Sequence, residues 1–219
     1  FWALLPAYLR AYRNINEIVV TIMLNFVGIY FVSYLVHEPK LLAEAGASYA
    51  QSRPILDSTI LPILIPGTSM HLGIVIAILL GVALQFVIRQ TGFGFRTRMV
   101  GENPDTSHYA GANVKASLFV ILLIVGGFYG LMGAVEILGL KYTLYDNFSA
   151  GLGYESIAVA LLGGTNPIGV IFSAFFFGAL KAGGNLMQQT VGIQSSMVQV
   201  IQAFAVLFVV GFGFARKKI

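Results

Sequence analysis

The sequence predicts an all-α fold, a polytopic integral membrane helical bundle with about five to six membrane segments. Hydrophobic residues occupy 57% of the 219 positions and charged residues only 10%, whereas soluble domains carry about 25% charged residues. A soluble chain of this length could not cover its surface with so few charges. Several apolar runs also meet or approach the roughly 20 residues that a membrane-spanning helix needs. We therefore expect residues 1–219 to form a single transmembrane domain.

The apolar runs differ in length, and the length of each run decides how it can cross a bilayer. The four long runs are residues 18–36, 72–88, 117–138 and 197–214. A fifth run, 167–180, is short but strongly apolar, and the stretch 156–164 before it is shorter still. That stretch predicts a half-helix, a re-entrant segment or the core of a short tilted span.

The basic residues predict the orientation of the chain in the membrane. Nine of the 13 fall in three segments that the positive-inside rule assigns to the cytoplasm. They are Arg10, Arg13, Arg89, Arg96, Arg98, Lys115, Arg216, Lys217 and Lys218. The loop from His37 to His71 is then external, and a short crossing at 156–164 is needed to return the C-terminus to the inside. Because the chain begins at Phe1 without a signal-peptide pattern, we expect it to be the C-terminal part of a longer protein.

Several kinds of chemistry find no support in the sequence. The chain contains no cysteine, so it can form neither a disulfide nor a thiolate metal site. His37, His71 and His108 share no metal-ligand spacing and are predicted to lie on the surface. The sequence has no Walker A pattern for nucleotide phosphates. We therefore predict no catalytic residue, no metal and no cofactor, and the placement of the basic residues does not indicate nucleic acid binding.

Polar residues within the apolar runs are candidates for a solute pathway. Asn25 lies in the first run and Glu136 near the outer end of the third. A carboxylate at membrane depth is costly and should face a cavity or a partner, although Glu136 could also be a wetted structural residue at the interface. A glutamine cluster near the predicted start of the last run comprises Gln188, Gln189, Gln199 and Gln202. Gln188 and Gln189 are assigned to the pathway, with capping of helices at the outer surface as the alternative.

The least hydrophobic long stretch is "VGENPDTSHYAGANV", residues 100–114. Asn103 is a potential N-cap, Pro104 suits the first position of a helix, and Asp105 suits its first turn. Gly111 would end that helix. A short capped helix at the cytoplasmic face predicts a docking element, and an ordinary capped loop is the alternative.

Four segments carry a family resemblance. "TGFGFRTRMVGENPDTSHYAGANV" (91–114) resembles the cytoplasmic coupling segment of ABC importer permeases, in the family that handles ribose, nucleosides and branched-chain amino acids. "NEIVVTIMLNF" (16–26) and "GYESIAVALLGGTNPIGVIFSAFFFGAL" (153–180) are similar to the same family. "GGNLMQQTVGIQSSMVQVIQAFAVLFV" (183–209) is most similar to its nucleoside-type branch.

The resemblance implies a permease fold related to the cobalamin and ribose importers, of which this chain holds the C-terminal part. Residues 89–116 would form the cytoplasmic coupling loop within it. The residues implied for coupling to an ATPase are Gly101, Glu102, Asn103, Pro104, Asp105 and Gly111. The implied partners are ABC ATPase subunits, a second permease subunit, the lipid bilayer and an extracellular or periplasmic substrate-binding protein. The implied location is the inner or plasma membrane of a bacterium.

Together these observations predict a non-enzymatic subunit of an ATP-driven importer, with nucleosides as the expected substrates. A ribose-type sugar permease is the first alternative. A passive channel with a re-entrant half-helix at "GGTNPIG" (163–169) is a second, and it would conduct without ATP. An integral membrane enzyme is a third, and it would need convergent catalytic groups that the sequence does not reveal.

Overall fold

A computed structural model describes residues 1–44, 46–149, 151–192, 196–197, 199–204 and 207–208. Within these ranges the chain forms eight α-helices with defined ends. They are α1 (Leu4–Arg13), α2 (Glu17–His37), α3 (Leu72–Gln90), α4 (Gly92–Glu102), α5 (Pro104–Tyr109), α6 (Val114–Glu136), α7 (Leu152–Leu162) and α8 (Pro167–Val191). The only β pairing in the described ranges consists of isolated bridges, so the predicted all-α fold is confirmed.

Among the described residues, four helices are long and apolar enough to cross a membrane, which confirms a multi-pass membrane protein. They are α2, α3, α6 with the π-helical turn Ile137–Lys141 that continues it, and α8. The count is lower than the five to six segments predicted. Most of the predicted short crossing at 156–164 lies in α7, which ends at Leu162 and whose 11 residues reach only about 16 Å. The predicted span at 197–214 falls largely outside the described residues, although its described positions are helical.

The boundary predicted for the run 167–180 is also wrong. The helix that contains it, α8, is 25 residues long and continues to Val191. The residues after the apolar run, Lys181 and the glycines that follow it, are part of this helix. Glycine is common in membrane helices, and the charge of Lys181 is paired within the fold, as described below. Neither feature therefore ends the helix.

The chain divides into two compact units, Phe1–Ala77 with Phe86–Ala150, and Ile78–Gln85 with Gly151–Ile219. In the first unit, α1 packs lengthwise on α6 through small side chains. Ala7 is fully buried, and Ala3 lies so close to Gly126 that a Cβ at Gly126 would overlap it. Tyr12 meets Phe119 at the other end of the contact, with ring centroids 6.0 Å apart. Small residues one turn apart let helices approach closely in lipid. Because Ala3 meets Gly126 and Tyr12 meets Phe119, the two helices run antiparallel.

The long loop between α2 and α3 is hydrogen-bonded to the segment that follows α6. The Ser52 amide donates to the Leu144 carbonyl (2.7 Å), and the Leu144 amide donates to Ser52 Oγ (2.9 Å). Farther along, the Leu61 amide donates to the Leu138 carbonyl (3.0 Å). The loop is therefore anchored along its length to the end of α6 rather than free.

His71 is buried within this arrangement, so its predicted surface position is wrong. Only 4% of His71 is exposed, and its Nδ1 accepts a hydrogen bond from the Gly73 amide (3.1 Å), which caps α3. The imidazole fills space that a Cβ at Gly73 or Gly139 would occupy. Two glycines therefore create the niche, a feature that histidine spacing alone does not reveal. His37 and His108 are exposed, as predicted.

In the second unit, α7 and α8 form a helical hairpin with a constrained turn. The Thr165 amide donates back to the Ala160 carbonyl (3.0 Å), a bond typical of a helix that ends in a left-handed residue. Asn166 caps α8 through its side chain. The backbones of Gly163 and Gly169 touch where any Cβ would overlap. The sequence "GGTNPIG" thus builds a tight connection between two helices.

Candidate functional site

The polar segment between α3 and α6 begins with a sharp turn at Thr91. The Thr91 hydroxyl donates to the Val87 carbonyl at the end of α3 (2.6 Å) and accepts from the Gly94 amide at the start of α4 (3.1 Å). Gly94 lies directly against the carbonyls of Val87 and Ile88, where a Cβ would overlap them. The glycine-rich "GFGF" sequence is therefore the beginning of a helix fixed to the end of α3.

The start of α5 agrees with the capping pattern in the sequence. Asn103 Oδ1 accepts a hydrogen bond from the Thr106 amide (3.0 Å), Pro104 occupies the first helical position, and Asp105 lies in the first turn. Ser107 is buried, at 2% exposure, and its hydroxyl donates to the Asn103 carbonyl (2.8 Å). One residue, Asn103, therefore holds the first turn through both its side chain and its backbone.

The end of α5 is held as firmly as its start. Gly111 has a left-handed backbone, with φ +82°, and its amide donates to the His108 carbonyl (3.0 Å). The next amide, that of Ala112, donates to the Ser107 carbonyl (2.9 Å). These two bonds form a Schellman motif, which satisfies the last carbonyls of a helix. Asn113 then caps α6 by accepting from the Ala116 amide, so α5 and α6 are joined by a fully hydrogen-bonded turn.

The outward surface of α5 carries an exposed aromatic group beside ionisable ones. Tyr109 is 91% exposed, and its ring lies edge-on to that of His108, with centroids 6.3 Å apart. Glu102, at the end of α4, and Asp105 are also exposed. A shallow depression of about 620 Å³ lies beside them, lined by Pro104, Asp105, His108 and Gly111–Lys115. This surface can offer a partner protein both apolar and charged contacts.

The structure places Asn25 and Glu136 on different helices of the first unit. Asn25 is exposed in the middle of α2, and Glu136 is half-buried as the last residue of α6. Both helices pack against α1. Glu136 directly precedes the π-helical turn Ile137–Lys141, and such turns are frequent at functional sites. The role of either side chain in a solute pathway remains a prediction.

Gln188 and Gln189, predicted near the start of the last apolar run, belong to the helix that precedes it. Both are exposed in the final turns of α8, which ends where Gly192 adopts a left-handed backbone. Gln199 and Gln202 lie beyond that break, in the helical residues 199–204. The glutamine cluster is therefore divided between two helical segments.

An ion pair that the sequence analysis missed links α7 to α8. Lys181 Nζ donates to both carboxylate oxygens of Glu155, at 2.7 and 2.9 Å. A usable signal was present, because Glu155 and Lys181 are the only charged residues between Asp146 and Arg216. Two opposite charges in such an apolar stretch are expected to form an ion pair.

A cavity of about 520 Å³ lies next to this ion pair in the second unit. Its lining residues come from α7, α8 and the helical residues 199–204 and 207–208: Glu155, Ala158, Leu161, Phe177, Gln199, Gln202, Ala203 and Leu207. Gln202 is only 9% exposed, and its amide nitrogen lies 3.5 Å from the Phe177 carbonyl. The wall of the cavity is almost entirely apolar, although two glutamines and one carboxylate are among its lining residues.

Comparison with known proteins places these features in a family. The family described as branched-chain amino acid transport system / permease component matches residues 1–210. The chain is similar to the guanosine ABC transporter permease protein NupP of Bacillus subtilis, with 34% identity over 95% of the chain and 60% of that protein. It is also similar to the nucleoside ABC transporter permease protein NupB of Lactococcus lactis, with 30% identity over 95% of the chain and 59% of that protein.

A third relative is the glucose ABC transporter permease protein TsgB13 of Haloferax volcanii, with 31% identity over 99% of the chain and 59% of that protein. The chain thus spans about 60% of the length of these curated relatives. No solved structure matches it significantly. By the match over residues 1–210, and by the membrane helices and the capped polar segment described above, the chain belongs to the family of permease components of branched-chain amino acid transport systems.

Proposed function

We propose that this chain is the membrane-spanning permease subunit of an ATP-driven ABC importer that translocates nucleosides. Two of its relatives, at 34% and 30% identity, are named as guanosine and nucleoside ABC transporter permeases. The proposed location is the inner or plasma membrane of a bacterium. The chain carries no nucleotide-binding motif, so ATP acts in this proposal through a partner subunit.

The observation that carries the proposal is the capping of α5 at both ends. A helix of six residues is marginal by itself, and here Asn103 and Gly111 hold its first and last turns. Such a helix can transmit a displacement instead of unwinding. In the proposed mechanism, α5 docks on the ATPase, moves when ATP closes the ATPase subunits, and shifts α6 through the connection at Asn113.

The proposed coupling residues act in two ways. Asn103, Pro104 and Gly111 shape α5, whereas Glu102 and Asp105 offer carboxylates to basic groups on the ATPase. Gly101 lies beside them on α4, where its Cβ position faces open space. The full set is Gly101, Glu102, Asn103, Pro104, Asp105 and Gly111.

The proposed assembly contains a second permease subunit, ABC ATPase subunits and an extracellular or periplasmic substrate-binding protein. Solute passes between the permease subunits as the helices alternate between outward and inward access. For ATP to drive this shift, the ligands involved must bind the two states with different free energy. The proposed pathway residues are Asn25, Glu136, Gln188 and Gln189.

A sugar importer is the second candidate function. It is favoured by the 31% identity to a glucose ABC transporter permease. Ribose and glucose share the neutral, hydroxyl-rich chemistry of a nucleoside's sugar but lack the aromatic base. Competition between these solutes therefore separates the two candidates.

The test is uptake into proteoliposomes that contain the whole importer, with its ATPase and its substrate-binding protein. Radiolabelled guanosine and uridine should accumulate with ATP and not with a non-hydrolysable analogue, and excess ribose or glucose should not compete. Uptake of sugars alone would replace the nucleoside assignment with the sugar assignment. Flux without ATP would instead indicate a passive channel.

A further inference from the structure

We propose that the cavity lined by α7, α8, Gln199, Gln202, Ala203 and Leu207 binds the base of a neutral nucleoside during translocation. This inference rests on the proposed function and assigns the substrate a location that was not expected from the sequence. The volume of about 520 Å³ falls within the roughly 300–1,000 Å³ typical of small-molecule sites. The cavity is formed by residues of one compact unit.

The apolar walls suit a flat aromatic ring. Ala158 and Ala203 are small enough to leave space, and Leu161 and Leu207 supply apolar surface. Phe177 adds an aromatic side chain, held in place by its edge-on contact with Phe176 at 6.1 Å. Any nucleobase can stack on aromatic and apolar side chains of this kind, because every base has a flat aromatic face.

The two glutamines supply the hydrogen-bonding groups that a base edge needs. A glutamine amide offers two N–H donors and one acceptor, and the Phe177 carbonyl engages only one donor of Gln202. Gln199 lies three residues earlier on the same helical segment, so both side chains can reach one face of it. Paired donor and acceptor groups are the means by which amide side chains recognise bases. A sugar without a base can pair with these amides through its hydroxyls, but it lacks the flat ring that stacks on the apolar walls.

The ion pair makes the cavity suitable for a neutral solute. Glu155 is the one formally charged residue among the described lining residues, and Lys181 neutralises it through two hydrogen bonds. A nucleoside can enter without leaving a charge unpaired in an apolar medium. A nucleotide would bring a charged phosphate into the apolar cavity without a counter-ion, since Lys181 is already paired with Glu155, and this is unfavourable. The site therefore predicts transport of guanosine and rejection of guanosine 5′-monophosphate.

The first experiment measures access to the cavity by alkylation of a single cysteine. This chain has no cysteine, so the Ala203→Cys variant gives a defined label site in the assembled importer once any cysteine elsewhere in the full protein and its partner subunits is replaced by serine. Guanosine at millimolar concentration should slow its reaction with N-ethylmaleimide, and guanosine 5′-monophosphate should not. The Ala182→Cys variant, at an exposed position of α8 outside the lining, is the matched control and should react at the same rate with either compound.

The second experiment measures uptake. Gln202→Leu should lower guanosine uptake by roughly tenfold or more, because a site built for hydrogen bonds loses strongly when one is removed. Gln85→Leu makes the same change at a half-exposed glutamine of α3 that does not line the cavity and should leave uptake unchanged.

The outcomes separate this inference from the proposed function. If the assembled importer takes up guanosine but guanosine leaves the alkylation of Ala203→Cys unchanged, or if that variant never reacts because another segment fills the cavity, the binding site is overturned and the nucleoside importer stands. If the importer takes up no nucleoside, both fail. Protection by guanosine together with loss of uptake in Gln202→Leu supports the site.

Discussion

Gly111 is the residue at which the chain turns from α5 toward α6, and its backbone is left-handed, with φ +82°. Nothing lies within 4 Å of a Cβ placed there, so backbone conformation rather than space restricts this position. A β-branched side chain is strained at positive φ, at a cost of about 1–3 kcal/mol. We expect Gly111→Val to leave membrane insertion intact while uptake and substrate-stimulated ATP hydrolysis fall together in the same proteoliposomes.

Gly111→Asn is the matched control, because asparagine tolerates the left-handed conformation at the end of a helix. It should retain most of the coupled activity. Wild-type uptake and ATP hydrolysis in Gly111→Val would mean that the end of α5 does not transmit the motion. The charge-reversing pair Glu102→Lys and Asp105→Lys changes the charges that the end of α4 and the start of α5 offer to a partner. Because Asp105 lies in the first turn of α5, where a positive charge is unfavourable, the single Glu102→Lys variant distinguishes a fault in docking from a fault in helix shape.

Glu136 and Asn25 are polar residues in apolar runs, and for this reason the sequence predicts that they line the solute pathway. A carboxylate at membrane depth is expected to serve a function, and Glu136 lies at the start of a π-helical turn. We expect Glu136→Gln and Asn25→Ala to lower nucleoside uptake while co-purification with the ATPase stays complete. Wild-type uptake in both variants would make the two residues structural.

At the scale of the element, α5 could be predicted from the sequence in detail, whereas α7 and α8 could not. The ends of α5 depend on local chemistry, with Asn103 before the helix and Gly111 after it. The true length of α8 depends on Lys181, which is acceptable inside an apolar helix only because Glu155 neutralises it. That contact joins residues 26 positions apart, and local patterns do not contain it. The same limit explains the buried His71, whose niche is formed by a glycine on another element.

The Glu155–Lys181 pair holds α7 against α8 and should behave as a coupled unit. Removing one partner leaves a single charge in an apolar environment, whereas removing both leaves only neutral polar groups. We expect Glu155→Gln and Lys181→Gln each to lower the thermal stability of the purified importer, and the double variant to be more stable than the simple sum by about 1 kcal/mol. The measurement is the melting temperature, obtained from the amount of intact importer that elutes from size-exclusion chromatography after heating. Additive losses would mean that the two side chains do not interact in the membrane.

At the scale of the whole molecule, the membrane helices leave much of their apolar surface uncovered. The most apolar stretches of α2 and α6 contain no buried residue. In water such surfaces would aggregate, but lipid and further membrane subunits can cover them. Fold class and membrane location therefore followed from composition. The number of spans did not, because a short apolar helix such as α7 can be distinguished from a full crossing only by its length in the folded chain.

The orientation of the chain is the prediction on which the proposed coupling depends, since α5 can meet a cytoplasmic ATPase only from the inside. The basic residues around α4 and the start of α6 predict that α5 is cytoplasmic and that the loop before α3 is external. Tyr109 and Ser48 are exposed in these two segments and are suitable label positions, whereas Ser107 and Ser52 are buried. With any cysteine elsewhere in the full protein replaced by serine, a membrane-impermeant maleimide should label Ser48→Cys in intact cells. It should label Tyr109→Cys only after the cells are permeabilised. Labelling of both positions from the same side would contradict the charge rule for this protein, and labelling of Tyr109→Cys from outside would remove α5 from the reach of any cytoplasmic partner.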